Sequence, residues 1–119
     1  MASHNTTGEL GEKIAQDYLV SLGYSILKTN WRYKKYEVDI IASKDNKLLF
    51  IEVKTRANQL VSGILSVDLK KQKNLIMAAN EYLRNHSDEF NVQFDIIAVN
   101  FYKNKHKIEH VKDAFYPTL

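Results

Sequence analysis

Apolar and polar residues alternate with two different periods along this chain, and the two periods predict two kinds of element. The apolar runs Val38–Ala42 and Leu48–Val53 are short, rich in branched residues and bounded by polar ones, which is typical of β-strands. Residues 44–47, between these runs, have the sequence Lys-Asp-Asn-Lys and favour a tight turn. A later run, Val92–Phe101, is apolar at odd and even positions alike, so we expect a central strand with both faces buried.

Apolar residues spaced three and four apart predict two helices. The first begins with a capping box formed by Thr6 and Glu9 and ends just before Gly23. The second begins after a cap on Asp68 and ends at about Asn85. The predicted apolar faces consist of Leu10, Ile14, Ala15, Tyr18, Leu19 and Leu22 in the first helix and of Leu69, Gln72, Leu75, Ile76, Ala79, Tyr82 and Leu83 in the second.

Weaker patterns complete the predicted order of elements. Residues 24–33 alternate weakly and predict a first strand, residues 57–67 have no clear period and predict a loop, and residues 107–111 predict an additional edge strand. The order α-β-β-β-α-β contains one crossover through a helix, which favours an α/β fold with a central mixed sheet flanked by helices. A chain of 119 residues with one such unit predicts a single domain over residues 1–119.

The turn between the two apolar strands determines which of their residues lie opposite each other. If the hairpin closes on residues 45–46, Asp39 faces Glu52 and Glu37 faces Lys54. Two carboxylates about 5 Å apart destabilise a ladder, unless a divalent cation lies between them. Lys54 follows Glu52 by two residues and therefore projects from the same face of the strand. Two acids and an ammonium group around one point predict a catalytic site of the nuclease type.

Carboxylate ligands and a phosphate substrate favour Mg²⁺ or Mn²⁺ as the ion. We expect Asp39, Glu52 and the backbone carbonyl of Val53 to bind it. Glu12, at the edge of the apolar arc of the first helix, is a further candidate, although a surface acid is an equally good interpretation from the pattern alone. The ion would lower the pKa of a bound water, and Lys54 would orient that water or stabilise charge on the phosphate. The competing interpretation, that these acids simply face solvent, is disfavoured because apolar residues occupy both faces near the turn.

Basic residues surround the predicted site. Residues 28–73 contain eleven Lys or Arg and five Asp or Glu, whereas the whole chain has a formal net charge of only +3. Such a local excess is typical of contact with a phosphate backbone. Residues 31–36 mix aromatic and basic side chains, which suits stacking on bases, although Trp31 and Tyr33 would also suit a core. The candidate nucleic-acid contacts are Arg32, Lys34, Arg56 and Lys73.

Two choices stay open at this point. Glu37 either forms a salt bridge with Lys54 or lies behind the metal ligands and supports them, and we favour the second role. Among the lysines that begin the second helix, Lys70 and Lys71 fit a solvated face, whereas Lys73 lies closer to the apolar arc and is the preferred phosphate contact.

Other chemistries find little support. The chain has no cysteine, which excludes disulfides and thiolate metal sites and fits a reducing compartment. No apolar stretch approaches the roughly 20 residues of a membrane span, and the N-terminus lacks the regions of a signal peptide, so we expect a cytoplasmic protein without a membrane partner.

No phosphate-binding glycine loop is present. His106 and His110 would stand about 13 Å apart on a strand and could not share a metal, and the histidines fit surface positions.

Several motifs together resemble those of one known family, the YraN-like bacterial proteins, over nearly the whole chain. The segments that carry the resemblance are Gly8-Glu9-Leu10-Gly11-Glu12, Gly23-Tyr24, Asn30-Trp31-Arg32, Glu37-Val38-Asp39-Ile40-Ile41-Ala42, Phe50-Ile51-Glu52-Val53-Lys54-Thr55-Arg56, Lys73, Ala79, Tyr82-Leu83 and Phe94-Asp95. The most specific of these is the block from Glu52 to Arg56.

The resemblance implies a fold and an activity. The family is similar to the restriction-endonuclease-like superfamily, whose metal motif is Asp, a gap, then Asp or Glu, any residue and Lys. Archaeal Holliday junction resolvases are relatives in which a helical glutamate joins the metal site, a position that corresponds to Glu12. Many relatives work as dimers, so a homodimer stays open, although no residue indicates one. We therefore expect a metal-dependent nuclease acting on DNA, at branched or flapped structures, with a binding module of the same fold as the alternative.

Overall fold

The computed structural model of this chain describes residues 3–57, 68–85 and 91–115. The elements in these ranges are α1 (Ser3–Ser21), β1 (Ser25–Tyr33), β2 (Tyr36–Lys44), β3 (Lys47–Ala57), α2 (Leu69–Arg84), β4 (Asn91–Tyr102) and β5 (Lys105–Phe115). The loop predicted over residues 57–67 lies outside the described ranges except for Ala57, which is the last residue of β3 and not part of a loop. Within the described ranges, no helix has the length and apolar character needed to cross a membrane.

The five strands form one mixed sheet in the order β1-β2-β3-β4-β5. All neighbouring strands are antiparallel except β3 and β4, which are parallel. Parallel neighbours need a long crossover, and α2 lies in the chain between them. The predicted mixed α/β sheet with a central fourth strand and an edge strand β5 is confirmed.

The hairpin between β2 and β3 closes at the predicted turn. Lys44 pairs with Lys47, and the two residues between them, Asp45 and Asn46, have φ angles of 50° and 65°. Positive φ at both central positions is the geometry of a type I′ turn, which matches the twist of antiparallel strands. The register predicted from this turn is confirmed as far as the pair Ile40–Ile51.

Each face of the sheet is covered by one helix. Alternate residues of β3 belong to different cores, because successive side chains of a strand point to opposite faces. The core under α1 contains Ala15, Leu19, Tyr24, Ile40, Ala42, Leu49, Ile51, Ile97 and Val99. The core under α2 contains Val38, Ile41, Leu48, Phe50, Leu75, Ala78, Ala79, Tyr82, Phe94, Ile96, Ala98 and Phe115.

The helices differ from their predicted faces at several positions. α1 begins at Ser3, before the predicted cap at Thr6. Residues 3–5 include no proline or glycine that would stop the helix from extending in this direction. Leu10 of the predicted arc is exposed, and so is Leu22, which lies just beyond the end of α1. Leu69, the first residue of α2, is 73% exposed. The predicted N-cap of α2 is confirmed, because the Asp68 carboxylate accepts a hydrogen bond from the Lys71 backbone N–H at 2.8 Å.

The close packing of α1 against the sheet depends on a glycine. A Cβ atom placed on Gly11 would lie 2.1 Å from Oγ1 and 3.1 Å from Cγ2 of Thr55 in β3. Both branches of the threonine are close, so rotation of its side chain does not open the space. The absence of a side chain at Gly11 therefore lets α1 approach β3 closely, at the helical turn that contains Glu12.

Two glycine substitutions in α1 should shift stability in opposite directions. Gly11→Ala is expected to reduce the free energy of unfolding by about 1–3 kcal/mol through overpacking against Thr55. Gly8→Ala meets no atom within 4 Å and should increase it by about 1 kcal/mol through helix propensity. Urea unfolding of both variants tests this pair. Equal shifts of the two midpoints would contradict the role given to the close approach at Gly11.

A buried polar network links β4, β5 and α1. The carboxylate of Asp95, which is 1% exposed, accepts hydrogen bonds from Gln93 Nε2 at 2.9 Å and from the Asp113 N–H at 3.1 Å. His110 Nε2 lies 2.7 Å from Asp95 Oδ2, and the Tyr18 hydroxyl lies 2.9 Å from His110 Nδ1. With Nε2 protonated, His110 donates to Asp95 and accepts from Tyr18, so both contacts are satisfied. The prediction that the histidines occupy the surface is wrong for His110, whose side chain is 5% exposed.

Candidate functional site

The ladder between β2 and β3 opens at Asp39. Its last regular pair is Ile40–Ile51. The backbone N–H of Val53 donates to Asp39 Oδ2 at 2.8 Å, so a side chain takes the place of a ladder bond. Alternation also breaks here, since Val38 packs in the core under α2 and Ile40, two residues later, in the core under α1. The predicted pairing of β2 with β3 therefore ends at Ile40 and does not include Asp39. The reason is that the Asp39 carboxylate, and not a backbone carbonyl of β2, accepts the hydrogen bond from the Val53 N–H.

Asp39 and Glu52 nevertheless come together, as predicted. Burial and, as the second cause, the charge of the neighbouring Asp39 carboxylate together raise the pKa of Glu52 to about 7. Burial likewise raises the pKa of Asp39, although the hydrogen bond from Val53 opposes the shift. The two carboxyl groups lie close enough to share a proton, as like charges in contact do. Glu52 Oε1 is buried and has no hydrogen-bond partner.

Two lysines supply positive charge beside Glu52. Lys54, two residues further along β3 and half-buried, lowers the pKa of Glu52 by its charge. Lys71 of α2 has the same effect, and its Nζ lies 3.6 Å from Glu52 Oε2. Lys71, which the sequence assigned to a solvated face, is 40% exposed and also contacts Glu52. It precedes the buried Leu75 by four residues, a spacing that places both on one side of the helix, and this spacing was the available signal.

Lys73, the lysine preferred from the sequence, has an exposed side chain in α2. It lies two residues from Lys71 and so points about 200° away around the helix. Its role as a phosphate contact stays a prediction, whereas Lys71 is the lysine of α2 that reaches the acids.

Glu12 approaches Asp39 from α1. Its carboxyl group is half-buried and accepts a hydrogen bond from the side chain of Asn30. Burial raises the pKa of Glu12, with a further contribution from the charge of Asp39. Asn30 has a φ of 49°, a left-handed conformation that asparagine tolerates better than most residues. Sequence reasoning did not select Asn30 as part of the site, and its type alone gave no signal for the contact with Glu12.

Glu37 lies among the charged groups at this end of the sheet. Its carboxylate accepts a hydrogen bond from Arg32 Nε at 3.2 Å across β1 and β2. Its charge also raises the pKa values of Glu12 and Asp39. Arg32 is thus the observed salt-bridge partner of Glu37, which remains close enough to the acids to act on them.

The remaining predicted contacts surround this cluster. Arg56 follows Lys54 on the same face of β3 and is half-buried. Lys34 is exposed in the β1–β2 turn, where its Nζ lies 5.4 Å from the centre of the Tyr33 ring. Trp31 packs edge-to-face on Tyr82 of α2, with ring centres 5.5 Å apart, so its interpretation as a packing residue is confirmed.

The donor set fits a hard cation, although the preformed part is small. Among the residues that the structure describes, no group of three or more Asp, Glu or His is placed to hold a metal. The oxygen donors are those of the two adjoining carboxyl groups, and one of them, Glu52 Oε1, has no hydrogen-bond partner. Mg²⁺ is commonly bound by one or two carboxylates and keeps several waters, so Asp39 and Glu52 meet its minimum requirement. Ligation by the Val53 carbonyl and by Glu12 stays a prediction.

Comparison with known proteins identifies the family of this chain. The model of "Uncharacterised protein family UPF0102" matches residues 11–99. A UPF0102 protein of Flavobacterium psychrophilum is 44% identical over 117 residues, which cover 98% of each chain. A UPF0102 protein of Bacteroides thetaiotaomicron is 43% identical over 100% of this chain and 99% of its own. The resemblance to a family of bacterial proteins is confirmed at this level, and the chain belongs to the UPF0102 family.

Proposed function

We propose that this chain is a metal-dependent nuclease that hydrolyses phosphodiester bonds in DNA. The observation that carries the proposal is the contact between the buried carboxyl groups of Asp39 and Glu52, with Lys54 two residues further along β3. Two like charges in a buried pair are unfavourable without a partner, and a divalent cation between them removes that penalty. The arrangement also agrees with the restriction-endonuclease-like motif, which extends the proposal to that superfamily and to its resolvase relatives.

The residues of the chain divide the chemistry between them. Asp39 and Glu52 would hold Mg²⁺ or Mn²⁺, with the Val53 carbonyl and Glu12 as further ligands. When bound, the cation polarises the phosphate and makes a coordinated water more acidic. The Lys54 ammonium stabilises negative charge that develops on the phosphate, or orients the attacking water. Lys71 balances the charge of Glu52 while no cation is bound.

The surroundings suit a nucleic-acid backbone. Phosphates on either side of the cleaved bond would be contacted by Arg32, Lys34, Arg56 and Lys73. Basic side chains of this kind displace the counterions condensed on DNA, and this displacement supplies most of the non-specific affinity. Glu37 holds Arg32 in place through its carboxylate. Contacts of this kind position a strand without reading its sequence, which suits recognition of branched or flapped structures by shape.

A binding module without cleavage is the second candidate function. It is favoured by the absence, in the described ranges, of a preformed group of three acidic or histidine ligands. The same basic surface would then bind DNA, and Asp39 and Glu52 would share a proton at neutral pH.

A cleavage assay separates the two candidates. Labelled linear, flapped and four-way DNA is incubated with the protein in Mg²⁺ or Mn²⁺, beside the variants Asp39→Asn and Lys54→Ala. We expect both variants to lose at least about 100-fold in rate, the size of a charge-stabilising or proton-transferring group. Asp17→Asn and Lys13→Ala, at an exposed ion pair of α1, are the matched controls and should cut normally. Binding without cleavage by the unmodified chain, unchanged in both variants, would support the module instead.

A further inference from the structure

Lys71 reaches the acid pair from a different element than the acids themselves. It lies in the first turn of α2, whereas Asp39 and Glu52 belong to β2 and β3. Burial raises the pKa values of both acids, and the charge of Lys71 opposes this shift in each of them. For Glu52, its effect is larger than that of Lys54. Lys71 therefore offsets the negative charge of the pair as a whole.

The backbone of Lys71 is fixed, whereas its ammonium group is held loosely. The N–H of Lys71 donates to the Asp68 carboxylate at 2.8 Å, and Leu75, one helical turn further on the same side of α2, is fully buried. In contrast, Lys71 Nζ lies 3.6 Å from Glu52 Oε2, longer than the charge-assisted hydrogen bonds of about 2.7–2.9 Å. The side chain of Lys71 is also 40% exposed. The ammonium group can therefore change partner without a movement of α2.

The carboxylate that Lys71 contacts is only partly satisfied. The side chain of Glu52 is 14% exposed, and its Oε1 atom is buried without a hydrogen-bond partner. A buried polar atom in this state carries an uncompensated desolvation penalty. The long contact between Lys71 and Oε2 leaves that penalty in place. Glu52 can therefore accept a stronger positive partner than Lys71.

A divalent cation on the acid pair would share one carboxylate with the ammonium group of Lys71. Two positive groups on one carboxylate repel each other, and screening by salt is weak over so short a distance. The divalent ion carries twice the charge of the ammonium group, so it is the stronger partner of the two acids. Lys71 is then displaced from Glu52 while its backbone stays anchored. A phosphate oxygen of a bound strand is the negative group that restores its pairing.

We propose that Lys71 exchanges partners, pairing with Glu52 in the metal-free chain and with a DNA phosphate when a cation occupies the acid pair. The inference rests on the proposed nuclease function, and it adds a regulatory property to the same site. Because one ammonium group cannot hold both partners, binding of the cation and binding of DNA favour each other. The exchange thus directs DNA to the metal-loaded form of the protein.

Calorimetric titration of the DNA-free protein with Mn²⁺ at pH 8 provides the first test. Lys71→Met removes the charge and keeps the length of the side chain. It should bind Mn²⁺ about fivefold more tightly than the unmodified chain, the upper range for a partly exposed ion pair. Lys71→Arg keeps the charge and should bind Mn²⁺ as the unmodified chain does. Lys70→Met, at the exposed neighbouring lysine, is the matched control and should have little effect.

Coupling between cation and DNA provides the second test. Fluorescence anisotropy measures the affinity for a labelled flapped DNA in a chelating buffer and in saturating Ca²⁺, with gels to verify that the DNA stays intact. Adding Ca²⁺ should increase the affinity of the unmodified chain about fivefold more than that of Lys71→Met, roughly the value of one phosphate contact at 0.1 M salt. Comparing these two gains removes the uniform loss of affinity that follows from deleting any positive charge.

The possible results separate the exchange from the nuclease function. A loss of DNA affinity in Lys71→Met that is equal with and without Ca²⁺ would make Lys71 a fixed phosphate contact and overturn the exchange. Unchanged Mn²⁺ affinity in Lys71→Met would overturn it as well. In both cases the nuclease proposal stands if the unmodified chain binds Mn²⁺ and cuts DNA. Absence of Mn²⁺ binding by the unmodified chain would instead overturn the nuclease proposal and, with it, the exchange.

Discussion

Glu52→Gln is expected to make the metal-free protein more stable at pH 8 and to leave its stability at pH 5 almost unchanged. The pKa of Glu52 is about 7 in the folded chain, against a usual value of 4.5, so the folded state binds this proton more tightly than the unfolded chain does. Stability is then lost as pH rises from the unfolded pKa to the folded one, and the full loss is present above pH 7. At about 1.4 kcal/mol per pKa unit, the loss is at most about 3.5 kcal/mol.

Urea unfolding in a chelating buffer at both pH values measures this effect. The matched control is Glu81→Gln, because the side chain of Glu81 is 16% exposed, close to the 14% of Glu52, but pairs with Arg84 rather than with another acid. An increase of the unfolding midpoint that is equal at pH 5 and pH 8 would contradict the assignment of the penalty to the Glu52 charge.

The same substitution is expected to remove stabilisation by the cation. At a Mn²⁺ concentration 100 times its Kd, a site confined to the folded state adds about 2.7 kcal/mol to the free energy of unfolding. The unmodified chain should show this gain at pH 8 and a smaller one at pH 5, since the ligands must lose their proton to bind. Glu52→Gln should show little gain at either pH. Mn²⁺ stabilisation that persists in this variant would place the ion elsewhere.

Asp95→Ala is expected to have the largest effect on stability, a loss of about 3–5 kcal/mol. The carboxylate of Asp95 is the common acceptor of Gln93, His110 and the Asp113 N–H. Its removal leaves these donors without a partner, and each buried donor that loses its hydrogen bond costs about 1–3 kcal/mol. Circular dichroism during urea unfolding measures the loss.

Two milder variants keep this prediction testable if Asp95→Ala does not fold. Tyr18→Phe removes one hydrogen bond at the far side of His110 and should cost about 1 kcal/mol. Asp95→Asn keeps the acceptor oxygen but loses the charge. Its loss of stability should be larger than that of Tyr18→Phe and smaller than that of Asp95→Ala. If Asp95→Asn and Tyr18→Phe destabilise the protein equally, the network does not depend on the Asp95 charge.

The elements of the fold that could be predicted are those specified by nearby residues. The β2–β3 register follows from a turn at Asp45–Asn46, and the start of α2 follows from the side chain of Asp68. In contrast, the parallel register of β3 and β4, which pairs Phe50 with Phe94, has no turn that determines it. It depends on how α2 packs, and a pattern of apolar residues does not contain that information.

The candidate site divides in the same way. The grouping of Asp39, Glu52 and Lys54 could be predicted, because two short strands and one turn bring these residues together. The opening of the β2–β3 ladder could not be predicted, because it results from competition between the Asp39 carboxylate and a strand neighbour for the Val53 N–H. The position of His110 was missed because its partner Asp95 lies where the β4–β5 register shifts, between Phe94 and Ile96, and irregular pairing leaves no periodic signal.

The two-residue turn at Asp45–Asn46 also has a consequence for folding kinetics. Hairpins with short loops form within about 1–10 μs, whereas parallel pairing across a long connection is slower because of its higher contact order. Asp39 and Glu52 would therefore meet early, while both are still hydrated and ionised. Their desolvation falls on the later step in which α2 docks on the sheet, so a cation that binds the hairpin would accelerate that step, and protons would do the same below pH 7.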